Sequence, residues 1–144
     1  MKTAEDLLKG KGYDVFSVSP KDSVFEAVGL MADKNIGSVL VMEGKKLLGI
    51  VTERDYARKI ILEGKRSRET PVLDIMESKV IGVTPERTIE ECMAIMTEER
   101  IRHLPVIEGD QVRGIISIGD VVHALISEKQ FVIEQLESYI TGRP

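Results

Sequence analysis

The chain alternates short apolar runs with helical apolar stripes, and it does so twice. Val15–Val18 and Val80–Val83 are apolar runs ending at Ser19-Pro20 and Thr84-Pro85, and each predicts a strand. Ser23 with Glu26, and Thr88 with Glu91, have the spacing of a capping box. In such a box the hydroxyl accepts an early helix N–H and the Glu reaches back to the cap's own N–H. Val24, Ala27, Val28 and Met31 then fall on one helical face, as do Ile89, Cys92, Met93 and Met96. Two further apolar runs follow in each half: Ser38–Met42 with Leu47–Val51, and Leu104–Ile107 with Val112–Ser117. Their connectors, Glu43-Gly44-Lys45-Lys46 and Glu108-Gly109-Asp110-Gln111, predict hairpins. A second helix is expected to start near Arg54–Asp55 and near Gly119–Asp120, with Gly64 stopping the first of them.

The two halves are copies. A shift of 65 residues lays Val15–Ile61 over Val80–Ile126 without a gap, and 13 of the 47 aligned positions are identical. Many of the other pairs exchange one apolar side chain for another, so the repeat decides the fold. The expected class is α/β, with two β-α-β-β-α units and short flanking helices. Asp6-Leu7-Leu8 matches Asp74-Ile75-Met76, and each is placed in a short helix ahead of a first strand. Thr70-Pro71 supplies that second helix with a cap and a first-turn proline. The spacing differs by three residues, so Lys9–Tyr13 is read as a longer loop. The expected division is residues 1–69 for the first unit with its leading helix and linker, 70–127 for the second, and 128–144 for a helical tail. The basic linker Gly64–Glu69 reads as a solvated crossing. In the tail, Phe131, Leu136, Tyr139 and Ile140 recur at near-helical spacing, which suits packing on the module or on a second subunit.

Composition narrows the function. With 144 residues, 42% of them hydrophobic and 31% charged, the chain reads as a soluble globular protein. It has no run of eighteen apolar residues, and Met1–Asp6 shows no apolar signal core, so neither a membrane partner nor secretion is expected. The single cysteine allows no internal disulfide and no cysteine zinc cage, which points to the cytoplasm. Cys92 aligns with Ala27 and reads as a small core residue. The net charge of −4 gives no general attraction to polyanions, so nucleic acid is not an expected partner. There is no Ser-His-Asp pattern, no Walker-type phosphate loop, no GxGxxG and no metal-ligand cluster. Asp55 and Asp120 lie in separate repeat-related turns and make a poor acid–base pair. An enzyme, a catalytic cofactor and a metal are therefore not expected.

The chemistry sits in two matching turns, Gly49-Ile50-Val51-Thr52-Glu53-Arg54-Asp55 and Gly114-Ile115-Ile116-Ser117-Ile118-Gly119-Asp120. Each runs from an apolar strand into a helix N-terminus, where free N–H groups and partial positive charge suit a phosphate. An ionised carboxylate only accepts, so it can take both hydroxyls of a ribose diol. Ser, Thr and Asp at such a turn also cap helices. The recurrence of hydroxyl and carboxylate three residues apart in both copies favours a ligand over capping alone.

With its preceding strand, helix and hairpin, this pattern resembles the CBS motif, over nearly the whole chain from Thr3 to about Ile126. Glu53-Arg54-Asp55-Tyr56 and Arg102-His103-Leu104-Pro105 resemble stand-alone CBS-pair proteins of bacteria and plant organelles. The resemblance implies two motifs about a pseudo-twofold axis, with clefts that bind AMP, ADP, ATP, NAD or S-adenosylmethionine. It also implies frequent pairing into a homodimer and a regulatory role acting on a separate target protein. Carried over by position, Asp55 and Asp120 would hold ribose hydroxyls, with Thr52 and Ser117 beside them on ribose or phosphate. Ser17-Val18 and Gly82-Val83 would line adenine pockets. Arg102 and His103 would serve the Asp55 site, and Arg54 the Asp120 site. Gly37-Ser38 aligns with Arg102-His103, and Arg54 with Gly119, so the two sites need not share one ligand. The alternative is a ligand-independent interaction or dimerisation module that works through its C-terminal helix.

Overall fold

The computed structural model describes residues 2–141; the last three residues of the expected tail lie outside them. In chain order the elements are α1 (Ala4–Lys11), β1 (Ser17–Val18), α2 (Val24–Lys34), β2 (Ser38–Glu43), β3 (Lys46–Thr52), α3 (Glu53–Tyr56), α4 (Ile89–Glu99), β4 (His103–Glu108), β5 (Gln111–Ser117) and α5 (Ile118–Thr141). The α/β class holds, with one three-stranded sheet, β1-β2-β3, and one two-stranded sheet, β4-β5.

One compact unit comprises Asp14–Ile81 and Glu108–Arg113. Within it β1 runs parallel to β2, and β2 pairs antiparallel with β3. Gly44, at φ 61°, makes the turn that sets Glu43 opposite Lys46. Ser23 caps α2 by accepting the Glu26 N–H at 3.1 Å. The expected box is half formed, because Glu26 accepts the Ser23 hydroxyl at 3.3 Å rather than its N–H. The apolar face of α2 is buried at Val24, Ala27 and Met31 against Val39, Val41 and Val51. α3 widens into a π-helical turn over Ala57–Ile61, where the Leu62 N–H donates to the Ala57 carbonyl at 3.1 Å. Gly64, at φ 66°, then turns the chain as expected.

The expected short helix at Thr70–Met76 is only a 3-10 turn, Val72–Asp74. Thr70 does not cap it; its hydroxyl donates back to the Arg66 carbonyl at 2.8 Å. The backbone here is drawn into pairing instead. Val24 N–H donates to Thr70 C=O, Val72 N–H to Asp22 C=O, and Ile50 exchanges both bonds with Glu77.

The other unit comprises the chain up to Tyr13, Gly82–Ile107, and the chain from Gly114 on. α1 opens with a full capping box between Thr3 and Asp6 and runs to Lys11, so most of the expected loop at Lys9–Tyr13 is helix. Its start pairs with the second repeat: Ala4 N–H donates to Arg87 C=O at 2.8 Å and Glu5 N–H to Pro85 C=O at 3.0 Å. Thr88 and Glu91 form the complete box at α4, which buries Ile89, Cys92 and Met96. Burial pushes the Cys92 thiol up to about 11, which suits a core residue and not a nucleophile. The expected strand Val80–Val83 shrinks to one parallel bridge, Val83 with Val106. The cause is a proline. In the first repeat Leu40 N–H donates to Phe16 C=O. Its counterpart is Pro105, which has no N–H to give Ile81.

The packing units thus differ from the sequential division at 69/70: α1 packs with the second repeat, and Val72–Met76 with the first. Nor does the chain break at 127/128, because α5 runs unbroken from Ile118 to Thr141. α5 buries only Val121 and Ala124, while Ile126, Ile133, Leu136, Tyr139 and Ile140 are exposed.

Candidate functional site

Each turn is assembled where a strand ends in extended geometry and a helix starts. Thr52 (φ −119°, ψ 165°) closes β3 and caps α3. Its hydroxyl accepts the Asp55 N–H at 3.2 Å, while Asp55 Oδ2 accepts the Thr52 N–H at 3.0 Å and its hydroxyl at 3.2 Å. The second repeat matches: Asp120 N–H donates to Ser117 Oγ at 3.2 Å, and Ser117 N–H to Asp120 Oδ2 at 2.8 Å. Both carboxylates are therefore helix caps, which the sequence alone leaves undecided. Capping does not exhaust them, since a carboxylate has about four lone-pair sites. Their side chains keep 16% (Asp55) and 25% (Asp120) of their surface accessible.

Each acid also holds a lysine. Lys59 Nζ lies 3.4 Å from Asp55 Oδ1 and donates to the Ile75 carbonyl at 2.9 Å. Lys11 Nζ lies 2.7 Å from Asp120 Oδ2 and donates to the Ile115 carbonyl at 2.9 Å. The i,i+4 spacing of Asp55 and Lys59 is a sequence signal for the first pair. No local signal marks Lys11, which is 109 residues from its acid. Burial alone would raise the Asp120 carboxyl, but hydrogen bonds from Lys11 and Ser117 hold it below the ordinary 3.8.

The remaining expected residues fall beside these turns by repeat. Glu53 N–H donates to Gly37 C=O at 3.1 Å, which sets Gly37 and the buried Ser38 next to Thr52–Asp55. Ile118 N–H donates to Arg102 C=O at 2.8 Å, which sets Arg102 and His103 next to Ser117–Asp120. The resemblance assigns those two to the Asp55 site. The structure places His103 in the field of Lys11, Arg102 and Asp120. Burial first, then Lys11 and Arg102, lower its pKa below 6.5, with Asp120 opposing. Arg54 and Gly119 are exposed at their helix starts. Val18 and Val83 are buried, and Ser17 is exposed. A Cβ on Gly82 would come within 2.8 Å of Ile107 Cδ1 and 3.0 Å of the Pro105 carbonyl oxygen, so a side chain there would crowd strand β4.

A cavity of about 450 Å³ lies away from this chemistry, lined by residues that include Phe25, Tyr56, Ile60, Lys65, Arg66 and Arg68. None of the expected ligand residues lines it; Tyr56 merely follows Asp55. It opens to solvent, and the Arg68 guanidinium stacks 3.9 Å over the Phe25 ring. Among the described residues no cluster of His, Cys, Asp and Glu could hold a metal, and no helix is long and apolar enough to cross a membrane.

The CBS domain family model matches residues 4–62 and 72–127, and the chain belongs to that family. It is similar to the CBS domain-containing protein CBSX3, mitochondrial, of Arabidopsis thaliana, at 42% identity over 149 residues, covering 97% of this chain and 72% of that protein. It is also similar to the crystal structure of the CBS domain NE2398, at 48% identity and a TM-score of 0.83, covering 87% of this chain and 98% of that one. The fold extends to a CBS domain protein of Pyrobaculum aerophilum complexed with AMP, at 21% identity and a TM-score of 0.74, covering 82% of this chain and 88% of that one.

Proposed function

We propose that this chain is a regulatory module whose Asp55 and Asp120 turns bind the ribose of an adenosine nucleotide of the AMP, ATP or NAD type. It carries no catalysis of its own and acts in the cytoplasm. The carrying observation is the recurrence of one geometry: in both repeats the preceding Thr or Ser N–H fixes the carboxylate Oδ2, at 3.0 and 2.8 Å, on a part-buried turn at a helix start. The carboxylate is oriented before any ligand arrives. The AMP complex of the Pyrobaculum relative supports adenosine as the ligand class. A ligand changes output only through unequal affinity for two states, here read as a change in homodimer pairing or in binding to a target protein.

The test is calorimetry with AMP, ATP and NAD. Asp120→Ala should weaken binding at its site by about tenfold or more, from lost charge-assisted bonds, and Asp55→Ala should do the same at the other. Unchanged affinity in the double variant would refute the ribose assignment. The exposed apolar positions of α5, Ile133, Leu136 and Ile140 among them, favour a second reading, an interaction or dimerisation module independent of ligand. Failure of every adenine nucleotide to bind at millimolar concentration would select it.

A further inference from the structure

Lys11 stands in the last turn of α1, yet its ammonium reaches the acid of the second repeat. It occupies the Asp120 carboxylate at 2.7 Å and the Ile115 carbonyl, on the strand entering the turn, at 2.9 Å. Asp120 Oδ2 already accepts the Ser117 N–H at 2.8 Å. The ammonium therefore holds a position on Oδ2 that a ribose diol spanning both carboxylate oxygens would need. Its side chain is 35% accessible, so the stem can swing aside without unpacking a core.

We propose that Lys11 is an exchangeable counter-ion that makes the Asp120 turn select phosphorylated nucleosides over bare ones. The inference rests on the ribose reading above. A diol that spans both oxygens of Asp120 displaces the ammonium, which then lacks a counter-charge. A nucleoside offers nothing in return. A nucleotide carries an anion on the same sugar, and the freed ammonium can follow it. Arg102, in the same field, adds positive potential beside the turn. The Asp55 turn is built differently. Lys59 lies one helical turn along from its acid at the looser 3.4 Å, and Gly37-Ser38 stands where the second repeat has Arg102-His103. Selection for phosphate is therefore weaker there.

The test is calorimetric titration of AMP and adenosine into Asp55→Asn protein, which isolates the Asp120 turn. Lys11→Met should weaken AMP by about tenfold, the scale of one charge-assisted bond. The same change should leave adenosine unweakened or bind it more tightly, because its competitor is gone. Lys11→Arg should restore the wild-type order. Movement of both ligands in one direction, or of neither, overturns the proposal and leaves the ribose reading standing. Absence of binding by both ligands to the Asp55→Asn protein at millimolar concentration overturns the ribose reading, and this proposal with it. Amide shifts of Ser117–Asp120 in otherwise wild-type protein give a second readout that needs no change at Asp55.

Discussion

Asp120 is offered as a ligand group, yet its bonds in the structure are bonds that hold the fold. Asp120→Ala deletes the acceptor of the Ser117 N–H at 2.8 Å and of Lys11 Nζ at 2.7 Å. Loss of a capping interaction costs about 1 kcal/mol. Loss of a partly exposed ion pair costs about 0.5 kcal/mol. The two share one oxygen and do not fully add, so the expected cost is about 1–1.5 kcal/mol. For a domain of this size that is a fall in Tm of about 3–6 °C. Asp120→Asn keeps a neutral acceptor and should lose roughly half as much. The assay is thermal unfolding by circular dichroism at pH 7, without and with AMP. Saturating ligand adds stability by mass action, about 2.7 kcal/mol at a hundred times Kd. The ligand-free difference thus measures the cap and the ion pair together, and the extra difference with AMP measures the sugar contact. An Asp120→Ala protein that melts at or above wild type without ligand would refute the structural role, because it would mean that the carboxylate is held there at a cost to the fold.

Two further outcomes follow from the same geometry. A Cβ on Gly49 would lie 2.8 Å from the Glu77 carbonyl oxygen, which the Ile50 N–H pins, whereas the three atoms nearest to one on Gly114 all belong to the Leu8 side chain, the first at 2.7 Å. Gly49→Ala should cost about 2–3 kcal/mol and Gly114→Ala less, as overpacking against backbone exceeds overpacking against a side chain; denaturant unfolding that ranks them the other way would contradict this reading. His103 titrates lower in the folded chain than its ordinary 6.5, so the unfolded chain takes up the proton first as the pH falls. Its contribution to stability is full above pH 6.5 and is lost on acidification toward the folded value; His103→Gln should flatten the fall in Tm over that window. Asp120 acts in the same sense below 3.8, where its depressed carboxyl makes acid destabilising.

The repeat, the helices and both hairpins were legible because each rests on local periodicity. Val24, Ala27 and Met31, and Ile89, Cys92 and Met96, are buried as their spacing implies. Failures appear where a partner distant in sequence decides. Nothing near Val80 announces that Pro105 will withhold an N–H from its strand. Thr70 beside Pro71 has the look of a helix start, but pairing with Asp22 and Val24 leaves only a 3-10 turn in that segment. The site shows the same split. Thr52–Asp55 and Ser117–Asp120 are readable as motifs, whereas the lysine on Asp120 depends on α1 packing with the second repeat.

That exchange of leading segments bears on the glycine before each turn. Gly49 and Gly114 stand at matched positions, and the side chains that crowd them, Met76 and Leu8, are also matched. Each glycine lets the borrowed segment lie directly on the strand that leads into the helix carrying a ligand-candidate acid. Lys11 and the backbone of Glu77 then reach strand β5 and strand β3 respectively. In the unit that holds Asp120 the counter-ion is therefore set by that packing, whereas both caps and the Asp55–Lys59 pair are local. Because the capping bonds already fix the carboxylate rotamer, a sugar arriving there loses less affinity to side-chain ordering, about 0.5–1.5 kcal/mol for a group of this kind. On the proposed ribose reading, capping and ligand binding are thus not rival accounts of the same aspartate: the first would supply the preorganisation that the second needs, and the cap is present in each copy while the neighbours at 37–38 and 102–103 diverge.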